Sequence, residues 1–364
     1  MAGRTELLGR GLVLGCLVLV MATLVVACGG DGSSSSPVTG SLLGVSRCQA
    51  NRSAGKITYV SPFGFDASAG ILDVFAASEL GYFRDMCLDV DLVTSGQMPT
   101  ELVSSGRATV SNIGSAADDL AQVAGGADVV AVATFGDTSD YAILTRPGIT
   151  NLQQLEGGTF AYHSTVPVAI LEMFHAAGVD VSNVQEVDTQ DYDPNQLVEG
   201  RESALQAYQS NEPLVLRAEH ARFDEFVPSQ FRVKGTFNVQ FFNARFLAEH
   251  EQAVKDFMRA DLHAFYYCAA HPRSCIDIEE RAARAAGSVY DVSHEEAVWN
   301  LEAALALHHT LPGMGVGVET KSEWGPEAAA LVKYGIVKGT PPLSRWEDTS
   351  IVSSLYNGTT LIWP

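Results

Sequence analysis

The sequence predicts a two-lobed α/β protein, and three observations carry the prediction. From about Lys56 onward, strand-like and helix-like segments alternate, which is the pattern of βαβ units with right-handed crossovers. A Pro147-Gly148 break separates a first such series from a second. The 364 residues, at roughly 100–200 per domain, suffice for about two units that each bury a core. Composition removes several alternatives. With 23 Lys and Arg against 43 Asp and Glu, the chain carries a formal charge of −20. A nucleic-acid backbone or an anionic lipid surface requires clustered basic residues, so neither is expected as a partner. A hydrophobic content of 46%, a charged content of 18% and a mean hydropathy of +0.09 fit neither a disordered chain nor a multi-span membrane protein.

The N-terminus reads as an export signal. Arg4 and Arg10 precede an apolar run from Gly11 to Ala27, which ends in Val25-Val26-Ala27-Cys28-Gly29. That ending resembles a bacterial lipobox, in which small residues suit cleavage and the cysteine thiol accepts the lipid. Residues 1–27 are therefore expected to be a signal peptide and Cys28 the lipidated residue. An uncleaved anchor helix is the alternative, and both readings put the remainder outside the cytoplasmic membrane. The Gly/Ser tract GGDGSSSSPVTG follows. Residues 28–55 are expected to form a flexible tether with a span of roughly 30 Å. Such a leash makes a monomer the expectation.

The chain has six cysteines. Cys16 leaves with the signal and Cys28 is lipidated, so Cys48, Cys87, Cys268 and Cys275 remain. In an oxidising compartment an even number favours disulfides. Cys268 and Cys275 bracket the short loop CAAHPRSC and are the safer pair, which leaves Cys48 for Cys87. No CxxC or HxxxH spacing accompanies them, so no metal is expected.

From Lys56 the elements follow in order. Lys56–Ser61 reads as a strand ending in the turn-rich loop SPFGFDAS. Ile71, Leu72, Phe75 and Ala76 share a helical face that Gly81 terminates. Leu88, Val90 and Leu92 alternate with Asp89 and Asp91 as in a half-buried strand. Thr109–Asn112 is a further strand, and Ala116–Ala124 a helix closed by Gly125-Gly126. The apolar run Asp128–Ala133 suits a parallel sheet buried on both faces. After Pro147-Gly148 come the short helix of NLQQLEGG, a strand at Thr159–Tyr162 and a helix at Val166–Ala177 stopped by Gly178. Strands at Val184–Val187, Ala204–Tyr208 and Phe237–Asn243 follow. The remainder is mostly helical, over Leu247–Tyr267, Glu279–Ala286 and His294–His308. Lobe 1 is thus expected over residues 56–150 and lobe 2 over 151–236. Residues 237–364 are expected to return to lobe 1 and end in helices.

Several blocks together resemble a known family. FAASELGYFRDMCLDVDLV, GRATVSNIG, GITNLQQLEGG and GRESALQAYQSNEP are similar to motifs of the nitrate/sulfonate/taurine and thiamine-pyrimidine solute-binding proteins. The resemblance implies a bilobal periplasmic-binding-protein-like fold of type II, with two Rossmann-like lobes joined by a hinge. It implies a small-molecule ligand between the lobes, delivery to an ABC permease and ATPase complex, and no cofactor. Three departures stand out. Cys87 occupies a position where the family usually has Gly, and Thr109 and Ser203 stand where it commonly has Asp.

Ligands of open parallel sheets lie beyond the carboxyl ends of strands, where loops meet helix N-termini. This nominates four regions. In the first loop, Phe63 and Phe65 offer rings to a planar ligand and Asp66 an acceptor for an amine, although Asp66 or Ser68 would equally cap the next helix. Ser115 opens the second helix of lobe 1, where free N–H groups and the dipole favour an anionic group. Tyr162, His163, Ser164 and Thr165 form the corresponding junction in lobe 2. Tyr208, Asn211 and Glu212 follow a lobe-2 strand. In the resemblance, the glutamate of this block meets an amino group of the ligand while the aromatic packs against it. Two ligand classes stay open: a thiamine-precursor pyrimidine, and a sulfonate or taurine-like solute.

Enzymatic motifs are lacking. The sequence has no G-x-S-x-G elbow, no H-E-x-x-H and no P-loop. Gly313-Met314-Gly315-Val316-Gly317 lacks a strand-to-helix context, and His308-His309 sit side by side on a helix where neighbours point apart. No catalytic residue is expected. An enzyme on the same fold, related to thiamine-pyrimidine synthesis, and a sensor subunit of a membrane receptor are the alternatives to a transport protein.

Overall fold

The structure is a computed structural model that describes residues 40–94, 98–191 and 193–364. The expected signal peptide, the lipidation of Cys28 and the first part of the tether lie outside the described residues. Among the described residues, no helix is long and apolar enough to cross a membrane.

The first strand–helix series supplies β1 (Lys56–Ser61), β2 (Asp89–Thr94), β3 (Val110–Ile113) and β4 (Val129–Gly136). β5 (Tyr141–Thr145) follows just before the Pro-Gly break, the second series supplies β6 (Thr159–Tyr162), β7 (Gln185–Asp188), β8 (Ala204–Tyr208) and β9 (Asp224–Phe226), and β10 (Phe237–Asn243) then returns. These strands form two five-stranded sheets, in the orders β2-β1-β3-β10-β4 and β7-β6-β8-β5-β9. Each sheet repeats one scheme. Three parallel strands (β2, β1, β3 or β7, β6, β8) lie beside one antiparallel strand that has crossed from the other series. The chain crosses between the sheets twice, at residues 137–140 and 227–236.

Each lobe has its own apolar core. In lobe 1 the long helix Ala244–Ala270 buries Phe257, Met258, Leu262 and Phe265. Its rings meet Phe83, Phe242, Phe135 and Trp299 at 4.8–5.8 Å. At about 1.5–3 kcal/mol for each fully buried large apolar side chain, this helix holds the lobe together. In lobe 2, Phe160 packs edge-on against Phe174 at 5.2 Å, over Leu152, Leu155 and Met173. Gly81 ends the helix Leu72–Glu79 at φ +83°, a conformation in which a Cβ would be strained.

Three sequence expectations are corrected. The tether was expected to run to residue 55, but Val45–Ser53 is a helix. It is pinned by the Cys48–Cys87 disulfide, by an ion pair from Arg47 to the buried Asp256, and by Asn51, whose Nδ2 donates to Asp256 at 2.8 Å and to the Met86 carbonyl at 2.7 Å. Those ties are covalent and polar, so they leave no apolar periodicity in the sequence. Second, β5 lies inside the range expected for lobe 1 but pairs with β8 and β9 of the second sheet. The exchange of strands occurs before the Pro-Gly break rather than at it. Third, β4 is buried as expected, but its sheet partner is the antiparallel β10 rather than a parallel strand. Its outer edge is covered by the C-terminal segment, where the Ala131 N–H donates to the Trp346 carbonyl at 2.9 Å. The second disulfide, Cys268–Cys275, is also present.

Candidate functional site

A cavity of about 130 Å³ opens where the two crossing segments bring the strand ends of both sheets together. Lobe 1 lines it with Phe63, Asp66, Ser68 and Gly114, with Phe237 and Asn238 of β10, and with Glu302 of the helix Val292–His308. Lobe 2 contributes His163, Tyr208, Ser210, Asn211 and Glu212, with Asp140 at the end of the first crossing segment.

The loop after β1 is held from within and from behind. Ser61 Oγ donates to the Gly64 carbonyl at 2.7 Å, and Ser68 Oγ donates to Asp66 at 2.9 Å. The Ala67 and Ala69 N–H groups donate to Glu295 and Glu302 at 2.9 and 2.8 Å. The helix carrying these two glutamates therefore sets the loop's shape. At the loop tip, Phe63 stays about half exposed and reaches the ring of Tyr208 at 6.3 Å, edge-on. Tyr208 in turn stacks on Tyr141 at 5.0 Å.

On the lobe-2 side, Glu212 begins the helix Glu212–Ala218 and accepts the Tyr208 N–H at 2.8 Å. The carboxylate thus caps its own turn while lining the cavity. Asp140 is 5% exposed; its Oδ2 accepts from Ser210 Oγ at 2.6 Å and its Oδ1 has no hydrogen-bond partner. His163 Nδ1 donates to the Thr189 carbonyl at 3.0 Å, which fixes the ring. Across the cleft, His294 Nε2 donates to Asn211 Oδ1 at 2.9 Å.

The electrostatics are one-sided. Among the described residues that line the cavity, none is Lys or Arg. Burial pushes Asp140 and Glu212 up to about 7, against the pull of their hydrogen bonds, and like charges nearby add to the rise. Burial likewise raises Asp66, and it raises Glu302 well above the usual carboxylate range. Glu295, just behind the loop, is pushed up to about 8 by burial and by Asp66. Asp140, Glu212 and Glu295 are thus partly protonated near neutral pH, and a positive charge arriving in the cavity favours their ionised form.

Not every residue nominated from sequence reaches the cavity. Phe63, Asp66, His163, Tyr208, Asn211 and Glu212 line it. Phe65 turns away and packs on Phe75 at 5.4 Å, lining a different depression on lobe 1. Ser115 is consumed as the N-cap of the helix Ala116–Ala124, accepting the Asp118 N–H at 3.2 Å and donating to Asp118 Oδ2 at 2.7 Å. The Ala116 N–H already donates to Thr236 Oγ1 at 2.8 Å. With Asp118 facing it as well, this terminus does not offer the anion site expected of it. Tyr162 stacks on Phe160 at 6.4 Å in lobe 2. Ser164 and Thr165 are exposed, the former with φ +62° and its N–H donating to Asp188 at 3.0 Å.

Sequence reasoning missed Asp140, Ser210, Phe237, Asn238 and Glu302. Glu302 left a legible trace: Trp299, Glu302, Ala303 and Ala306 are the buried face of their helix, and an acid on an inward stripe demands a partner. Asp140 left none, since it precedes a strand that was itself unread.

The sequence profile of the family described as NMT1/THI5 like matches residues 69–275, more than half of the chain. The chain belongs to this family. Three solved structures share its architecture. The ligand-binding component of an ABC-type import system from Staphylococcus aureus, crystallised with zinc, is 13% identical with a TM-score of 0.61, over 82% of this chain and 97% of that one. The periplasmic aliphatic sulphonate binding protein SsuA from Escherichia coli is 13% identical with a TM-score of 0.56, over 85% and 94%. A cysteine-to-serine mutant of DszB in complex with biphenyl-2-sulfinic acid is 13% identical with a TM-score of 0.58, over 82% and 98%. No curated protein matches by sequence. At these identities the likeness establishes the fold, which is the bilobal periplasmic-binding-protein-like α/β fold expected from the family motifs.

Proposed function

We propose that this NMT1/THI5-like chain is an extracytoplasmic solute-binding lipoprotein, which captures one small molecule between its lobes and delivers it to the permease and ATPase of an ABC importer. The observation that carries this reading is the cavity at the crossing segments, lined from both lobes. A pocket divided in this way can be completed by hinge closure, which expels water and lets both lobes contact the ligand. Family membership and the likeness to two import-system binding proteins support it. The lipid anchor at Cys28 and the membrane location rest on the lipobox-like sequence.

Of the two ligand classes open from sequence, the lining favours an amino-bearing ring over a sulfonate. Asp66, Asp140, Glu212 and Glu302 offer an anion no positive charge, while Phe63 and Tyr208 offer faces to a flat group. Micromolar affinity corresponds to about −8 kcal/mol, within reach of one stacked ring plus a few charge-assisted hydrogen bonds. Binding is preferred over catalysis, although the DszB likeness keeps an enzyme on this fold in view. The described cysteines are all tied in disulfides, so they offer no thiol nucleophile. Native mass spectrometry of protein purified without denaturation tests the reading. A stoichiometric small molecule that departs on unfolding is expected. Empty protein together with flat titrations against a broad metabolite panel contradicts it, and turnover of a bound compound points to the enzyme instead.

A further inference from the structure

The lining carries a more specific message than a preference for amines, and drawing it out rests on the reading of the chain as a solute-binding protein. Carboxylates converge on the cavity from both lobes: Asp66 and Glu302 from one, Asp140 and Glu212 from the other. Each already accepts a hydrogen bond from the protein. Asp66 takes Ser68, Glu302 takes the Ala69 N–H and Asn238 Nδ2 at 2.8 and 3.2 Å, Glu212 takes the Tyr208 N–H, and Asp140 Oδ2 takes Ser210. Asp140 Oδ1 stands apart. Its side chain is 5% exposed and lines the cavity, while Oδ1 itself has almost no accessible surface and no hydrogen-bond partner. A buried carboxylate without a full set of donors is costly to ionise, and a positive charge in the cavity lowers that cost.

Three further observations narrow the donor. The bases facing the cluster are His163, on the wall, and His294, which donates to Asn211, so the protein supplies no fixed cation to balance the carboxylates. Phe63, Tyr208 and Phe237 also line the cavity, and aromatic faces attract a desolvated positive head. Among the described residues, no three His, Cys, Asp or Glu side chains are grouped so as to hold a metal ion. The carboxylates therefore suit a charge spread over an organic group rather than a compact metal. We propose that the cavity takes a small organic cation, with an ammonium, amidinium or guanidinium head set among Asp66, Asp140, Glu212 and Glu302 and flanked by Phe63 and Tyr208.

Calorimetric titration of the full chain, stripped of ligand, at about pH 8 tests this. The probes are choline, putrescine and agmatine as cations, a neutral aminopyrimidine, and taurine and ethanesulfonate as sulfonates. At least one cation is expected to bind and neither sulfonate to do so. Asp140→Asn is expected to weaken that cation ten-fold or more without lowering the melting temperature. Glu302→Gln serves as a second variant, because its amide oxygen still accepts the Ala69 N–H. A sulfonate or the neutral aminopyrimidine binding more tightly than every cation overturns the charge assignment but leaves the solute-binding reading intact. Unchanged cation affinity in both variants overturns it as well. Silence from all probes, combined with empty protein in native mass spectrometry, brings down both readings together.

Discussion

Glu212 does two jobs with one carboxylate, and they separate under mutation. It accepts the Tyr208 N–H, which shapes the turn, and it lines the cavity. Burial holds it protonated up to about 7, so a neutral amide reproduces its resting state closely. Glu212→Gln should keep the melting temperature within a degree or two while weakening a positively charged ligand ten- to hundred-fold, the worth of one charge-assisted hydrogen bond at about 1.5–3 kcal/mol. Equal affinity for variant and parent, measured by titration, would take Glu212 out of the site. Glu212 and Asp66 were legible in the sequence because each follows a strand in a turn-rich loop. Asp140 was not, because it precedes its strand. Glu302 showed only as an acid on a buried stripe, in the middle of a helix that reaches the loop only through the fold.

At the scale of elements, order in the N-terminal helix Val45–Ser53 comes from covalent and polar ties rather than from apolar packing. Only Cys48 and Asn51 are buried in it. The Cys48–Cys87 bridge closes a sequence separation of 39 and Cys268–Cys275 one of 7. Loop-closure entropy then gives about 4 kcal/mol for the first and about 2.4 kcal/mol for the second. Cys48→Ser should therefore lower the denaturation midpoint more than Cys275→Ser, and the reverse order would contradict this account. Cys87 itself has φ +56°, where the family usually has Gly. The disulfide offsets a backbone cost of roughly 1–2 kcal/mol there. The two crossing segments give a second test. A Cβ on Gly235 would sit 2.6 Å from Ser139 Cβ, so Gly235→Ala should force the segments apart. The expected result is a ligand affinity reduced several-fold with both lobes still folded, read by titration alongside circular dichroism. Strand and helix types from Lys56 to Asn243 were largely readable, since apolar period reports burial. The return of β10 to the first sheet was legible as well, whereas β5, which was not read as a strand, crosses to the second sheet before the Pro-Gly break.

For the molecule as a whole, the consequence of its buried acids is a stability that runs against the usual trend with pH. Burial pushes Asp119, Asp261 and Glu327 up to about 8, and Asp140 and Glu212 up to about 7. In the unfolded chain such groups titrate near 4. Between about pH 4 and pH 8 the folded state therefore binds more protons than the unfolded one, and stability falls as pH rises through that window. The ligand-free protein should melt at a higher temperature at about pH 5.5 than at about pH 8.5, and a bound cation should narrow the gap by keeping the cavity carboxylates ionised at lower cost. A melting temperature that is flat or rising over that range would contradict the burial argument. The account as a whole turns on what fills the space between the lobes, and a crystal structure of the protein with its co-purified molecule addresses that directly. The predicted result is a single organic molecule between the lobes, with a positively charged nitrogen within hydrogen-bond distance of at least one of the Asp66, Asp140, Glu212 and Glu302 carboxylates and the rings of Phe63 and Tyr208 against it. A ligand seated on the outer surface of one lobe, or an anion at the start of the helix Ala116–Ala124, would contradict it.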